Sequence, residues 1–193
     1  MNELDALNET LRAEADMLLH SHGLLEVLQK NGNPVVTGSY ILRLMTWRDL
    51  DVNLENNEMT VERFFDLGKE LAVRLKARRM SYRDETFGEI PTLPRGLYWG
   101  LYTTLTFPAE WKIDVWAINS DMARFRREEI ESLERKLTAR NRQTILLIKS
   151  HYCNHPGYRR DFFSTDIYKA VLDENVRSVD GFQRYMASQG RTL

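Results

Sequence analysis

The stretch VVTGSYILRLMTWRDLDVNLE, residues 35–55, carries most of the information about the fold. Its first residues predict a short strand that ends at Gly38, and residues 39–45 predict a helix of about two turns. From residue 49 to residue 55 polar and apolar side chains alternate, which is typical of a strand with two different faces. Asp49 and Asp51 therefore lie on the same face, close enough to share an ion.

Two aspartates on one face of a strand concentrate negative charge, which a bound cation would neutralise. Mg²⁺ suits this role because it prefers carboxylate oxygen and commonly binds one or two carboxylates together with substrate phosphates. The segment WKIDVWAI, residues 111–118, predicts another strand, whose Asp114 faces away from the apolar side. A third acid would allow two ions about 3.5–4 Å apart, one activating an attacking oxygen and one stabilising a leaving oxygen.

A turn of small residues precedes these acids. Gly38 and Ser39 lie between the first strand and the start of the following helix. Glycine lets the backbone approach a ligand closely, and the amides at a helix N-terminus favour phosphate. The Ser39 hydroxyl adds another donor. The order of elements therefore predicts a phosphate-binding turn ahead of a metal-binding pair.

This arrangement resembles the signature of the DNA polymerase beta-like nucleotidyltransferase superfamily. That signature has a hydrophobic residue, Gly, Gly or Ser, roughly ten further residues, Asp-hydrophobic-Asp/Glu-hydrophobic, and a third acid on a later strand. The matching positions are Gly38, Ser39, Asp49, Asp51 and Asp114, and the resemblance spans residues 35–118. The leading helix and helical tail are similar in size and layout to the small aminoglycoside and lincosamide nucleotidyltransferases.

The resemblance implies a metal-dependent transfer of a nucleoside monophosphate from a nucleoside triphosphate to a hydroxyl acceptor. Asp49 and Asp51 would bind the Mg²⁺ that carries the nucleotide. Asp114 would share a second ion or take the proton from the acceptor. The acceptor oxygen would attack the α-phosphorus in line and pyrophosphate would leave, with catalysis mainly by positioning and charge stabilisation.

The resemblance also implies which residues bind the nucleotide. The Ser39 hydroxyl and the backbone amides from Gly38 to Tyr40 would hold the terminal phosphates. Lys112 shares a face with Asp114 and is a further candidate for a phosphate contact. A salt bridge between Lys112 and the acids is an equally weighted alternative.

The whole chain predicts an α+β (α/β) fold with a mixed sheet of about five strands and flanking helices. A leucine stripe predicts a leading amphipathic helix, divided at Gly23 and ended by residues 31–34. A long helix is expected from Thr60, and three strands at about 77–84, 97–107 and 111–118. We expect a catalytic core with its leading helix over residues 1–118 and a helical part over residues 119–193.

The helices also carry position-specific expectations. Val61 and Phe125 are expected on the inward faces of their helices. Ser120 and Ser164 are each expected to cap the start of a helix. The loop predicted between the strands at 77–84 and 97–107, residues 88–96, contains two prolines.

Several other residues are weaker candidates for the site. Lys149 and Arg142 follow the core and are expected on a solvated surface, with a phosphate contact as the alternative. Arg48 lies just before the first acid and is expected either to pair with an acid or a phosphate or to indicate a relaxed site. Glu89 is a weaker candidate than Asp114 for the third acid of the site.

Composition narrows the possible functions. The chain has 193 residues, 42% hydrophobic and 28% charged, which predicts a folded protein. The net charge of −1 provides no global basic field, so nucleic acid is not an expected partner. The single cysteine excludes an intrachain disulfide. No apolar run predicts a membrane span, and the cytoplasm is the expected location.

Three functional hypotheses remain open at this stage. The first is the nucleotidyltransferase, acting on a small molecule or a protein. The second is a weak or inactive module of the same fold, resembling an antitoxin, that acts through a protein partner. The third is a nucleic-acid polymerising enzyme, which the acidic charge balance disfavours. The first two differ in whether the acids bind metal and nucleotide.

Overall fold

The computed structural model describes residues 2–88, 93–105 and 109–193. Within these ranges the protein is a mixed α and β structure with one five-stranded sheet, as predicted. Its α-helices are Glu3–Asp16 (α1), Leu24–Gln29 (α2), Gly38–Leu42 (α3), Val61–Arg74 (α4), Ser120–Lys136 (α5), Ala139–Tyr152 (α6), Ser164–Leu172 (α7) and Val179–Ser188 (α8). Its strands are Asn33–Thr37 (β1), Asp49–Glu55 (β2), Arg79–Asp84 (β3), Leu97–Thr103 (β4) and Trp111–Ile118 (β5). Among the described residues, no helix is long and apolar enough to cross a membrane.

The sheet has the strand order β1-β2-β5-β4-β3. The central pair, β2 and β5, is parallel, and the other three pairs are antiparallel. Because parallel strands need a crossover, the chain passes through α4, β3 and β4 before β5 returns beside β2. In this register Asp49 lies opposite Lys112, and Asp51 lies opposite Asp114.

The predicted leading helix is divided more than once. Helix α1 ends at Asp16, a π-helical turn covers Met17–Ser21, and α2 begins after Gly23, whose φ of 74° is left-handed. The helix predicted for residues 39–45 is shorter, because Arg43 takes a left-handed φ of 57° and ends α3. Strand β2 has the predicted bounds, whereas β3 and β4 are shorter than predicted. Residues 106–107 and Glu89 lie outside the described residues.

Helix α4 packs its apolar stripe against the sheet. The Thr60 hydroxyl accepts from the Arg63 amide and caps the helix. Phe64, Leu67 and Leu71 are buried at the spacing of one helical face. Val61 was expected inward but is 41% exposed at the first position of α4.

The C-terminal helices build their own hydrophobic cluster, centred on α6, α7 and α8. Helix α5 is capped by Asn119, whose side chain accepts from the Met122 amide, so the prediction of Ser120 as the cap was one residue late. Phe125 was expected inward but is 55% exposed. Ser164 is the first residue of α7 rather than its cap.

A partly buried ion pair holds the start of β2. The Arg48 guanidinium donates to both Glu14 carboxylate oxygens, at 2.6 and 2.7 Å. The indole of Trp111 donates to the same carboxylate at 3.1 Å. Arg48 therefore pairs with an acid of α1, and the three residues join α1, β2 and β5.

The segment around α3 lies where the two hydrophobic clusters meet. Tyr40 packs against the cluster formed by the sheet and the N-terminal helices. Leu42 and Leu44 belong to the cluster of the C-terminal helices. The turn at Gly38 is therefore placed between the sheet and the helical part.

Candidate active site

The three aspartates of the motif meet on one face of the sheet. Asp49 and Asp51 come from β2, and Asp114 comes from the neighbouring β5, directly beside Asp51 in the parallel register. On the opposite face of β2, Leu50 and Val52 are fully buried. The side chains of Asp49 and Asp114 keep 20% and 13% exposure, so the acid face remains accessible from solvent.

Crowding changes the protonation of these acids. Burial and the charges of Asp49 and Asp114 raise the pKa of Asp51 to about 8. Burial and the charge of Asp49 also raise the pKa of Asp114. A carboxyl group in this situation gains from any cation that favours its charged form. Without such a cation, the site is electrostatically unfavourable.

Lys112 partly relieves this repulsion from within the chain. Its ammonium lies 2.5 Å from Asp114 Oδ2 and 3.7 Å from Asp49 Oδ1. Burial lowers the pKa of Lys112, but the two carboxylates outweigh burial and hold that pKa above its ordinary value. The ammonium thus acts as a stand-in cation between two strands. In this arrangement it forms the salt bridge rather than being free for a phosphate.

Tyr98 is a site residue that the sequence reasoning missed. Its hydroxyl donates to Asp114 Oδ1 at 2.7 Å. Burial and the charge of Asp114 raise the pKa of Tyr98, so the hydroxyl keeps its proton and remains a donor. Gly100 lies opposite Asp114 in the sheet, where a Cβ would collide with the tyrosine hydroxyl. Both oxygens of Asp114 are therefore held in place.

The small-residue turn lies directly against the acids. Gly38 has a left-handed φ of 66°, and a Cβ there would collide with Asp51 Oδ2. Glycine is required both for the backbone conformation and for this close approach. Ser39 follows at the junction with the helical part. The Tyr40 hydroxyl donates to Asp16 instead, so its side chain points away and only its backbone belongs to the turn.

Lys149 occupies a position that the sequence analysis did not predict. It was expected on a solvated surface, but its side chain is fully buried. Its ammonium donates to Ser39 Oγ at 2.9 Å, to the Leu44 carbonyl at 2.6 Å and to the Tyr168 hydroxyl at 3.4 Å. Arg142 was also expected in solvent, but it donates to carbonyls at the C-terminal end of α3.

The burial of Lys149 has an energetic consequence. A buried ammonium is costly unless it is paired with an opposite charge. Among the described residues, no carboxylate lies within ion-pair distance of Lys149, although its charge is near enough to lower the pKa of Asp51. Its three N–H groups instead donate to oxygens of Ser39, Leu44 and Tyr168, and its charge has no acidic partner there. Its spacing of four from Ile145, on the apolar face of α6, was the available sequence signal.

Trp47 links the acids to the cations. Its indole nitrogen donates to Asp49 Oδ2 at 3.3 Å. The Lys149 ammonium lies 4.6 Å from the Trp47 ring centroid, and the Arg159 guanidinium carbon lies 5.2 Å from it. Tyr158 packs edge-on against the same ring at 5.0 Å. One indole therefore borders both the acidic and the basic parts of the site.

The donor set fits a hard divalent cation. Asp49 Oδ1 is buried and has no hydrogen-bond partner among the described residues. Carboxylate oxygens are the ligands that Mg²⁺ prefers, and the stand-in position of Lys112 marks where positive charge is favourable. In residues 2–88, 93–105 and 109–193, no group of three or more His, Cys, Asp or Glu side chains is arranged so that it could hold a metal ion as it stands. A metal would therefore have to displace the ammonium from Asp114.

Comparisons with known proteins do not place the chain in a family. No protein-family model matches it, and no curated protein matches it at a significant level.

Proposed function

We propose that this protein is a metal-dependent nucleotidyltransferase that moves a nucleoside monophosphate from a nucleoside triphosphate to a hydroxyl of a small molecule or a protein, with the cytoplasm as its location. The main support for this proposal is that three aspartates on one face of the sheet lie close to a glycine-serine turn and a buried lysine. Like charges crowd on one side, and a cation without a carboxylate partner lies on the other. A metal-bound triphosphate complements both.

Asp49, Asp51 and Asp114 are the residues that would hold Mg²⁺, with two ions expected. Bound Mg²⁺ would neutralise phosphate charge and polarise the reacting oxygens. Ser39 and Lys149 would bind phosphate oxygens next to the acids, a role that is supported by the hydrogen bond from the lysine ammonium to the serine hydroxyl. The Gly38 backbone allows the nucleotide to approach the acid face closely.

In the proposed reaction, the acceptor oxygen forms a bond to the α-phosphorus while the bond from that phosphorus to the bridging oxygen breaks. The bridging oxygen and its electron pair leave with pyrophosphate. The acceptor proton passes to the Asp114 carboxylate, whose pKa is raised by burial and by the charge of Asp49. Tyr98 orients this carboxylate through its hydrogen bond.

Lys112 has two consecutive roles in this proposal. Without nucleotide it neutralises Asp49 and Asp114. With Mg²⁺ held by the aspartates, the Lys112 ammonium would be free to contact the phosphates of the nucleotide. Its flexible stem makes this movement inexpensive.

Thermal unfolding tests the proposal. The protein is heated with Mg²⁺ and each of ATP, GTP, CTP and UTP, beside the Asp49→Asn, Asp51→Asn double variant. A ligand that binds only the folded state raises the midpoint by mass action. At least one nucleotide should raise the midpoint of the native protein and leave that of the double variant unchanged. Asp66→Asn, at an exposed position on α4, is the matched control and should respond like the native protein.

One observation favours the second hypothesis, a weak or inactive binding module. Because Lys112 already neutralises two acids, the cluster can persist without a metal. Such a module would show no midpoint shift with any nucleotide and no release of pyrophosphate. The same heating series with the Lys112→Met variant distinguishes an enzyme from a binding module. In an enzyme this variant loses stability without ligand but still responds to Mg²⁺ and nucleotide.

A further inference from the structure

We infer that Arg159 is a polyphosphate-binding residue that contacts the β- and γ-phosphates of the bound nucleotide, an inference that rests on the proposed function. Arg159 belongs to the loop between α6 and α7. Its guanidinium carbon lies 5.2 Å from the centre of the Trp47 ring. Since Trp47 donates to Asp49, only one indole ring separates Arg159 from the carboxylates.

The backbone of the loop that carries Arg159 is held by contacts on both sides of this residue. Tyr158 and Phe162, on either side, are buried. The Tyr158 hydroxyl is 2.7 Å from Ser164 Oγ, and the Arg159 amide donates to the Phe162 carbonyl at 2.7 Å. The backbone near Arg159 is therefore fixed at both ends, so its side chain extends from a defined point.

The backbone conformation of Arg159 is unfavourable for its residue type. Its φ of 65° is left-handed. Glycine and asparagine adopt this region readily, whereas a long side chain there costs free energy. Unfavourable conformations of this kind are common at ligand-binding sites, where the side chain compensates for the cost. An arginine at this position is therefore better explained by a ligand that its side chain binds than by the conformation of the loop.

The charge around Arg159 is unbalanced. Among the described residues, its guanidinium has neither an ion pair nor a hydrogen bond. The adjacent Arg160, in contrast, pairs with Asp161 at 2.7 Å. Lys149 lies near the same Trp47 ring, so two cations flank one indole, and neither of them forms an ion pair among the described residues. An anion between them would relieve their repulsion.

A triphosphate has the charge and the length that this arrangement needs. The acids and their metals would take the reacting end of the triphosphate, while Lys149 and Arg159 would hold its far end. Arginine binds phosphate oxygens in pairs through parallel N–H groups. Negative charge grows on the departing pyrophosphate during transfer, so a cation at that end also favours the transition state. Arg159 would thus select triphosphates over monophosphates.

Isothermal titration tests the inference with Mg²⁺ present throughout. The probes are inorganic tripolyphosphate, the α,β-methylene analogues of the four nucleoside triphosphates, and the matching monophosphates. Arg159→Ala should weaken binding of the tripolyphosphate and of the bound analogue by about 10-fold or more. Monophosphate binding should stay within about twofold. Arg160→Ala is the matched control and should leave every affinity unchanged.

Two further variants separate a binding role from a structural one. Arg159→Gly suits the left-handed backbone, so it should fold at least as stably and still lose triphosphate affinity. Arg159→Lys keeps the charge but loses the paired N–H groups, so it should recover only part of the affinity.

The outcomes also separate this inference from the proposed function. If the native protein binds the analogue and Arg159→Ala binds it equally well, the Arg159 assignment is overturned and the proposed function stands. If the native protein binds tripolyphosphate through Arg159 but no nucleotide analogue, the assignment stands and the proposed function fails. No binding of any polyphosphate by the native protein overturns both.

Discussion

Replacing Asp51 by asparagine should stabilise the metal-free protein. Asp51 lies beside Asp114 in the sheet and shares its face with Asp49. Burial and these two charges raise its pKa from the ordinary 3.8 to about 8. The folded protein therefore holds this proton more tightly than the unfolded chain does. Asparagine keeps the shape of the side chain and removes the charge that opposes folding.

The pH dependence follows from the direction of the shift. Stability contributed by the proton on Asp51 is fully present below about pH 4 and is lost as the pH rises towards 8. The difference in unfolding free energy between Asp51→Asn and the native protein should therefore grow over this range. Each pH unit contributes up to about 1.4 kcal/mol. Between pH 5.5 and pH 8.0 the difference should widen by up to about 3 kcal/mol.

Urea unfolding in EDTA measures this difference. Titrations of the native protein, Asp51→Asn and the exposed control Asp66→Asn are run at pH 5.5, 7.0 and 8.0. The asparagine at position 51 should raise the unfolding midpoint most at pH 8.0, and the control should show no such trend. A variant that is less stable than the native protein, or a difference that does not change with pH, would refute the electrostatic reasoning.

Three further substitutions test other parts of the structure. Gly38→Ala should destabilise the protein by about 1–3 kcal/mol in urea unfolding, because the backbone is left-handed and the added Cβ collides with Asp51; unchanged stability would contradict the turn geometry. Lys149→Met should lower affinity for Mg²⁺-bound triphosphate analogues by about 10-fold in calorimetric titration; unchanged affinity would separate the buried lysine from the phosphate site. Trp111→Phe removes a donor to the buried Glu14 and should cost about 1–3 kcal/mol in thermal unfolding; a neutral effect would show that the carboxylate finds another donor.

The strand that carries the motif could be predicted from local pattern alone. Alternation over residues 49–55 predicted β2 with its observed bounds and placed Asp49 and Asp51 on one face. The same reasoning oriented Asp114 on β5. A two-residue period is a strong signal, because a shift by one residue would expose the whole apolar set. The alternation within each strand did not predict that β2 pairs with β5.

The cations that local reasoning assigned to the surface or did not consider are far from the motif in the chain. Lys149 reaches Ser39 from 110 positions away, and Arg159 reaches Trp47 through a loop between two C-terminal helices. Charged side chains on helices are usually solvated, so local reasoning assigns them to the surface. Only the packing of the helical part against α3 brings these cations to the acids.

Binding of Mn²⁺, followed by electron paramagnetic resonance, tests the central claim most directly. Mn²⁺ replaces Mg²⁺ at carboxylate and phosphate oxygen and gives a signal that reports on neighbouring phosphorus. With an α,β-methylene nucleoside triphosphate, the native protein should hold Mn²⁺ in a protein-bound form with phosphorus nearby. The Asp49→Asn, Asp51→Asn variant should lose this form, and Asp66→Asn should keep it. A native protein whose spectrum with each of the four analogues equals that of the Mn²⁺–nucleotide complex in buffer would contradict the assignment of this acid cluster as a metal–nucleotide site.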